Sequence, residues 1–197
     1  MEGLVRRKLG WAGYVCRKVA DAMVTGGLGV AGNCGTLDLL DENRVLRTYP
    51  DVNFMIPEES TDAFEKAVLQ RNPHMVVTKV GGDYKNKPSN DKKTPNKINV
   101  EKGDLILDAT VMYPLRLDGK DYFVFRAPYK QSWVRAPKEF MYSVPAKLKG
   151  VEFRVLNPSA LYTAKISFGN CERDIEDSKH LLRVVDDELR EKMLPFA

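Results

Sequence analysis

Apolar residues fall in short runs along this chain, and the spacing inside each run distinguishes strand from helix. From Val15 to Met23 the positions Val15, Val19 and Ala22 share one face, which predicts a first helix. A short strand from Met23 to Thr25 leads into a glycine turn, with a helix expected from about Leu28. Val52 to Ile56 alternates, with Val52, Phe54 and Ile56 on one side and Asn53 and Met55 on the other, and Pro57 ends it. Ser60 or Thr61 opens a helix to Gln70 that carries Ala63, Phe64, Ala67 and Val68. Further strands are expected from Met75 to Val80, from Asp104 to Met112 and from Val151 to Leu156. A hairpin over 115–127 turns at Asp118-Gly119. Asn157 then caps a helix with Pro158 at its first position, and Ile175, Leu182, Val185 and Leu189 predict a last helix from Arg173 to Lys192. This order predicts an α+β fold, a mixed sheet flanked by helices, with the C-terminal helices in 157–197 of one domain, 1–197.

Two places break these patterns. Gly26 and Gly27 follow a β-branched run, where residues without Cβ let the backbone approach a ligand and a following helix N-terminus would attract phosphate. Asp108 sits between Leu107 and Ala109 inside a strongly apolar strand, where a carboxylate is costly without a purpose. Its alternatives are a bulge or a half-exposed face, and Asp104, at the strand entry, is the fallback carboxylate. Asp51 and Asn53, two apart on one strand, face the same way. A phosphate cradle and carboxylates together are what a metal-bound nucleotide requires. The same glycines also permit a rival reading. Gly27, Gly29 and Gly32 spell G-x-G-x-x-G with Asp51 about 20 residues on, the fingerprint of a dinucleotide-binding oxidoreductase.

Composition narrows the setting. The chain has 197 residues, 43% of them hydrophobic and 29% charged, enough for a core and not for wholesale disorder. No apolar run approaches the roughly 20 residues of a membrane span, and the N-terminal segment lacks the apolar stretch of a secretory signal. Cys16, Cys34 and Cys171 are widely spaced, which favours reduced thiols and a cytoplasmic location. With His74 and His180 as the only histidines, a histidine-based metal site or nucleophile is disfavoured. From residue 84 to 97 five lysines face Asp91 alone, an excess equal to the chain's whole net charge of +4. This basic stretch reads as a mobile, solvated loop, with no nucleic-acid-binding face because Tyr84 is its one aromatic.

With these pieces in place, the chain resembles small nucleotidyltransferases of the DNA polymerase beta type, those related to lincosamide and aminoglycoside nucleotidyltransferases and to nucleotidyltransferase toxins. Three features carry the resemblance: Gly26-Gly27 followed by Arg47-Thr48 and Asp51-Val52-Asn53; Asp108 on a later strand; and the run 155–182, with Pro158, Lys165, Arg173, Asp174 and Asp177. The resemblance implies Mg²⁺-dependent transfer of a nucleoside monophosphate from a nucleoside triphosphate to a hydroxyl acceptor, whether a small molecule, RNA or protein. It implies phosphate contacts from Gly26, Gly27, Arg47, Thr48 and Lys165. It makes Asp51, Asn53 and Asp108 metal ligands, with Asp51 and Asp108 catalytic and Asp108 also a candidate base. The chain departs from the family at Asn53, which stands where a second carboxylate is expected. An amide oxygen can ligate Mg²⁺ but brings no charge. The acidic stretch from Asp38 to Glu42 looks like an insertion. A catalytically impaired nucleotide-binding or interaction module of the same fold is therefore the alternative.

Overall fold

The computed structural model describes residues 2–36, 51–81, 95–126, 133–168 and 172–193. Arg47, Thr48, the stretch from Asp38 to Glu42 and most of the basic segment lie outside the described residues. The described elements, in order, are α1 (Glu2–Lys18), β1 (Met23–Val24), α2 (Gly26–Cys34), β2 (Asp51–Pro57), α3 (Thr61–Arg71), β3 (Val76–Gly81), β4 (Pro95–Lys102), β5 (Leu105–Leu117), β6 (Lys120–Arg126), β7 (Trp133–Pro137), β8 (Ser143–Leu148), β9 (Val151–Leu156), α4 (Pro158–Phe168), α5 (Glu172–Leu181) and α6 (Asp187–Met193). The fold is α+β, as the order of sequence patterns predicts.

The strands form a mixed sheet in the order β3-β4-β5-β2-β1-β9-β8, with β6 and β7 continuing from β5. β2 and β5 run parallel, as do β1 and β9, while the other neighbours are antiparallel. The alternation expected in β2 holds: Val52, Phe54 and Ile56 are buried, and Phe54 meets Phe64 of α3 edge to face. β5 is long enough to serve three partners. Its first part pairs with β2 and β4, and its last residues, Tyr113 to Leu117, pair with β6. The Asp118-Gly119 turn has positive φ at both residues, +51° and +76°, the geometry a tight hairpin demands. Among the described residues, no helix is long and apolar enough to cross a membrane.

Several expected boundaries move. α1 begins at Glu2 and ends at Lys18, well before Val15 to Met23 would place it. Its buried stripe of Leu9, Ala12, Val15 and Cys16, continued by Val19 just past its end, extends through a segment rich in arginine and glycine. The expected last helix is two helices: Asp186 accepts a hydrogen bond from Leu189 N at 2.9 Å and so caps the start of α6. β4 begins inside the stretch read as a basic loop, so Lys97 is a strand residue.

Candidate active site

The site begins where β1 hands over to α2. Thr25 N donates to Asn53 O at 2.8 Å, which fixes the turn against β2. Gly26 follows with φ of +60°, and a Cβ there would lie 2.6 Å from Asn53 Nδ2, so both conformation and space require glycine. The first bond of α2 runs from Gly29 N to Thr25 O at 3.0 Å. The N–H groups of Gly26, Gly27 and Leu28 therefore precede the helical ladder and form its positive end. Gly27 itself is buried.

Beside this turn, the parallel register of β2 and β5 sets Asp51 opposite Ile106 and Asn53 opposite Asp108. On the far side of β5, Asn99 of β4 is opposite Asp108 and Lys97 is opposite Thr110. Adjacent strands lie about 4.8 Å apart, and registered residues share a face. One transverse row thus crosses the sheet, Thr78, Asn99, Asp108, Asn53, and ends at Gly26. Along β2, β4 and β5 these residues alternate with a buried set, Val52, Ile98, Val100, Leu107 and Ala109. Alternation is why a strand this apolar tolerates Asp108: its carboxylate belongs to the half-open face.

Asp108 is not alone there. Lys97 Nζ donates to Asp108 Oδ2 at 3.0 Å, with the lysine side chain 39% exposed and the aspartate 15%. The composition around Lys97 is that of a solvated loop, yet Lys97 is a strand residue. The period-two pattern of Asn96, Ile98 and Val100 against Lys97, Asn99 and Glu101 was the signal that could have found it.

Lys165 sits elsewhere. Its ammonium bonds Asp174 Oδ1 at 2.6 Å and Asp177 Oδ2 at 2.9 Å, joining α4 to α5. Burial disfavours the ammonium charge, but the Asp177 and Asp174 carboxylates outweigh it, so the Lys165 pKa is held above its ordinary value.

The donor set can be tested against a divalent cation. Among the described residues, no three His, Cys, Asp or Glu side chains converge as metal ligands. The site offers two carboxylates, Asp51 and Asp108, with the Asn53 amide between them in register. The buried Oδ1 of Asn99 has no hydrogen-bond partner among the described residues. With Lys97 counted, the formal charge of the cluster is −1. Such a set fits one hard cation that shares phosphate oxygens, and does not fit two.

The dinucleotide reading fails on topology. Its fingerprint needs a strand, a glycine loop, a helix and a parallel strand. Here β1 and β2 pair antiparallel, and Gly27, Gly29 and Gly32 lie within α2. Gly32 serves close packing: a Cβ there would lie 2.8 Å from Val155 Cγ1 of β9.

No protein-family model matches the chain, and no curated protein does. Solved structures do. The crystal structure of ANT(2″)-Ia in complex with adenylyl-2″-tobramycin aligns with a TM-score of 0.58 at 12% identity, over 96% of this chain and 95% of that one. The solution structure of the antibiotic-resistance factor ANT(2″)-Ia aligns at 0.57 and 14% identity, over 98% and 88%. The lincomycin-bound crystal structure of the lincosamide antibiotic adenylyltransferase LnuA aligns at 0.56 and 14% identity, over 91% and 97%. Identities this low speak for backbone arrangement alone, but that arrangement spans nearly the whole chain. The chain has a nucleotidyltransferase-like fold.

Proposed function

We propose that the protein transfers a nucleoside monophosphate from a nucleoside triphosphate to a hydroxyl of an acceptor, with Mg²⁺ as cofactor. The observation that carries this reading is the convergence of the Gly26 turn with Asp51, Asn53 and Asp108 on one sheet face. The fold supports it, because ANT(2″)-Ia and LnuA, proteins of the same fold, are seen with adenylyl-2″-tobramycin and with lincomycin.

On this reading, the N–H groups of Gly26 and Gly27 hold phosphate oxygens at the positive end of α2. Asp51, the Asn53 amide oxygen and Asp108 would hold the metal, which when bound would neutralise charge on the triphosphate. Asp108 accepts the proton of the attacking hydroxyl as the new P–O bond forms and pyrophosphate leaves. By the resemblance, Arg47 and Thr48 would add phosphate contacts. Lys165 would reach phosphate only by leaving two buried carboxylates, so we assign it to fixing α4 on α5. The acceptor is a hydroxyl-bearing small molecule, by analogy with these structural neighbours. A cytoplasmic location is consistent with this chemistry.

Asn53 and the Lys97 contact also favour a second reading, a nucleotide-binding module with impaired turnover. Both make the same site less negative, Asn53 by lacking a charge and Lys97 by pairing with Asp108. One experiment separates the two readings. Mg²⁺ with a non-hydrolysable triphosphate raises the melting temperature of a nucleotide-binding protein by mass action, and Asp51→Ala or Asp108→Ala removes the shift. Pyrophosphate release by the natural protein favours the enzyme. Release only after Asn53→Asp favours the impaired module. A wild-type shift retained in both alanine variants overturns the metal site.

A further inference from the structure

We propose that the Lys97 ammonium is a resident cation of this site, which occupies the position of one metal charge on Asp108 and restricts the site to a single, weakly held divalent ion. The inference rests on the nucleotide-binding reading above and concerns the metal-binding capacity of that same site.

Lys97 reaches Asp108 diagonally across the β4–β5 pair, since its registered partner is Thr110, and donates to Oδ2 at 3.0 Å. Both registered neighbours of Asp108 are uncharged amides, Asn99 on one side and Asn53 on the other. Asp51 is the other carboxylate of the cluster, two residues along β2 from Asn53. Two positions therefore shift the charge in the same direction. Asn53 withholds a negative charge where the resemblance expects one, and Lys97 adds a positive one. A divalent ion approaching Asp108 must displace or repel an ammonium already hydrogen-bonded to it. Lys97 keeps enough solvent exposure to swing aside, so the contact lowers affinity without sealing the site.

The consequence is legible in metal binding alone, without turnover. Mn²⁺ is titrated into the protein, and the free ion is followed by its paramagnetic resonance signal. Lys97→Met removes the resident charge and is expected to tighten Mn²⁺ on the order of tenfold. Lys97→Arg keeps the charge and stays as weak as wild type. Asn53→Asp also tightens binding, and the double variant Lys97→Met/Asn53→Asp takes up a second ion. Circular dichroism of each variant establishes that it is folded, and Lys97→Gln replaces Lys97→Met if the latter is not.

Mn²⁺ affinity unchanged in Lys97→Met, with binding abolished in Asp108→Asn, overturns the role of Lys97 and leaves the nucleotide site standing. Failure of every variant to bind Mn²⁺, with no triphosphate-dependent thermal shift, overturns both.

Discussion

The molecule holds two lysine–aspartate contacts that look alike on paper and differ in physics. In the α4–α5 contact, Lys165 is 13% exposed, Asp174 5% and Asp177 0%, and the ammonium bonds both carboxylates. On the sheet, Lys97 bonds one carboxylate, Asp108, and more than a third of its side chain meets solvent. Burial makes the first contact costly to break, because a carboxylate stranded without water or counter-charge pays its full desolvation. Solvent makes the second exchangeable, because water and salt replace much of what the lysine provides. The buried triad therefore joins helices, and the open pair regulates what can approach Asp108.

Replacement of Lys165 by Met gives the largest expected effect, a loss of about 3–5 kcal/mol in a denaturant titration, because two buried carboxylates lose their counter-ion. If the variant unfolds at the wild-type midpoint, the triad is not structural and the contrast collapses. A substitution of Gly26 by Ala comes next. At φ of +60° it costs about 1–2 kcal/mol, and the new Cβ crowds Asn53, so the triphosphate-dependent thermal shift falls with it.

The triad also carries a pH signature. The folded pKa of Lys165 lies above its unfolded value, so its contribution is fully present below the ordinary lysine pKa of about 10.4 and is lost as pH rises through the folded value. A wild-type alkaline loss of stability that persists unchanged in Lys165→Met would assign that loss to other groups. The smallest effect belongs to Lys97→Met, within about 1 kcal/mol in stability, measured by the same denaturant titration that registers the large loss at Lys165. A loss comparable to that of Lys165→Met would make the sheet contact structural too.

Much of the fold is legible in the sequence, and the rest has physical reasons for being illegible. Asp108 was legible because a carboxylate between Leu107 and Ala109 violates strand preference, and Asp118-Gly119 because that dipeptide has few other uses. Asn157-Pro158 declared a helix start, and Asn157 Oδ1 accepts from Ala160 N at 2.9 Å. β4 was missed because Pro95, Lys97 and Asn99 have the composition of a loop. Its alternation is half as informative as that of an apolar strand, since one face looks onto the polar site. The register that makes Lys97 a neighbour of Asp108 is a non-local property, set by antiparallel pairing, and no spacing within β4 announces it. The ion pairs of Lys165 are illegible for a different reason: its helix is expected from the sequence, but the carboxylates it bonds come from the next helix.

One feature of β5 reaches further. The same strand carries Asp108 between β2 and β4 and then, without a break, becomes the first arm of the hairpin with β6. No loop or turn separates the carboxylate from that arm, so Asp108 and the β6–β7 ribbon are joined by one uninterrupted strand of backbone.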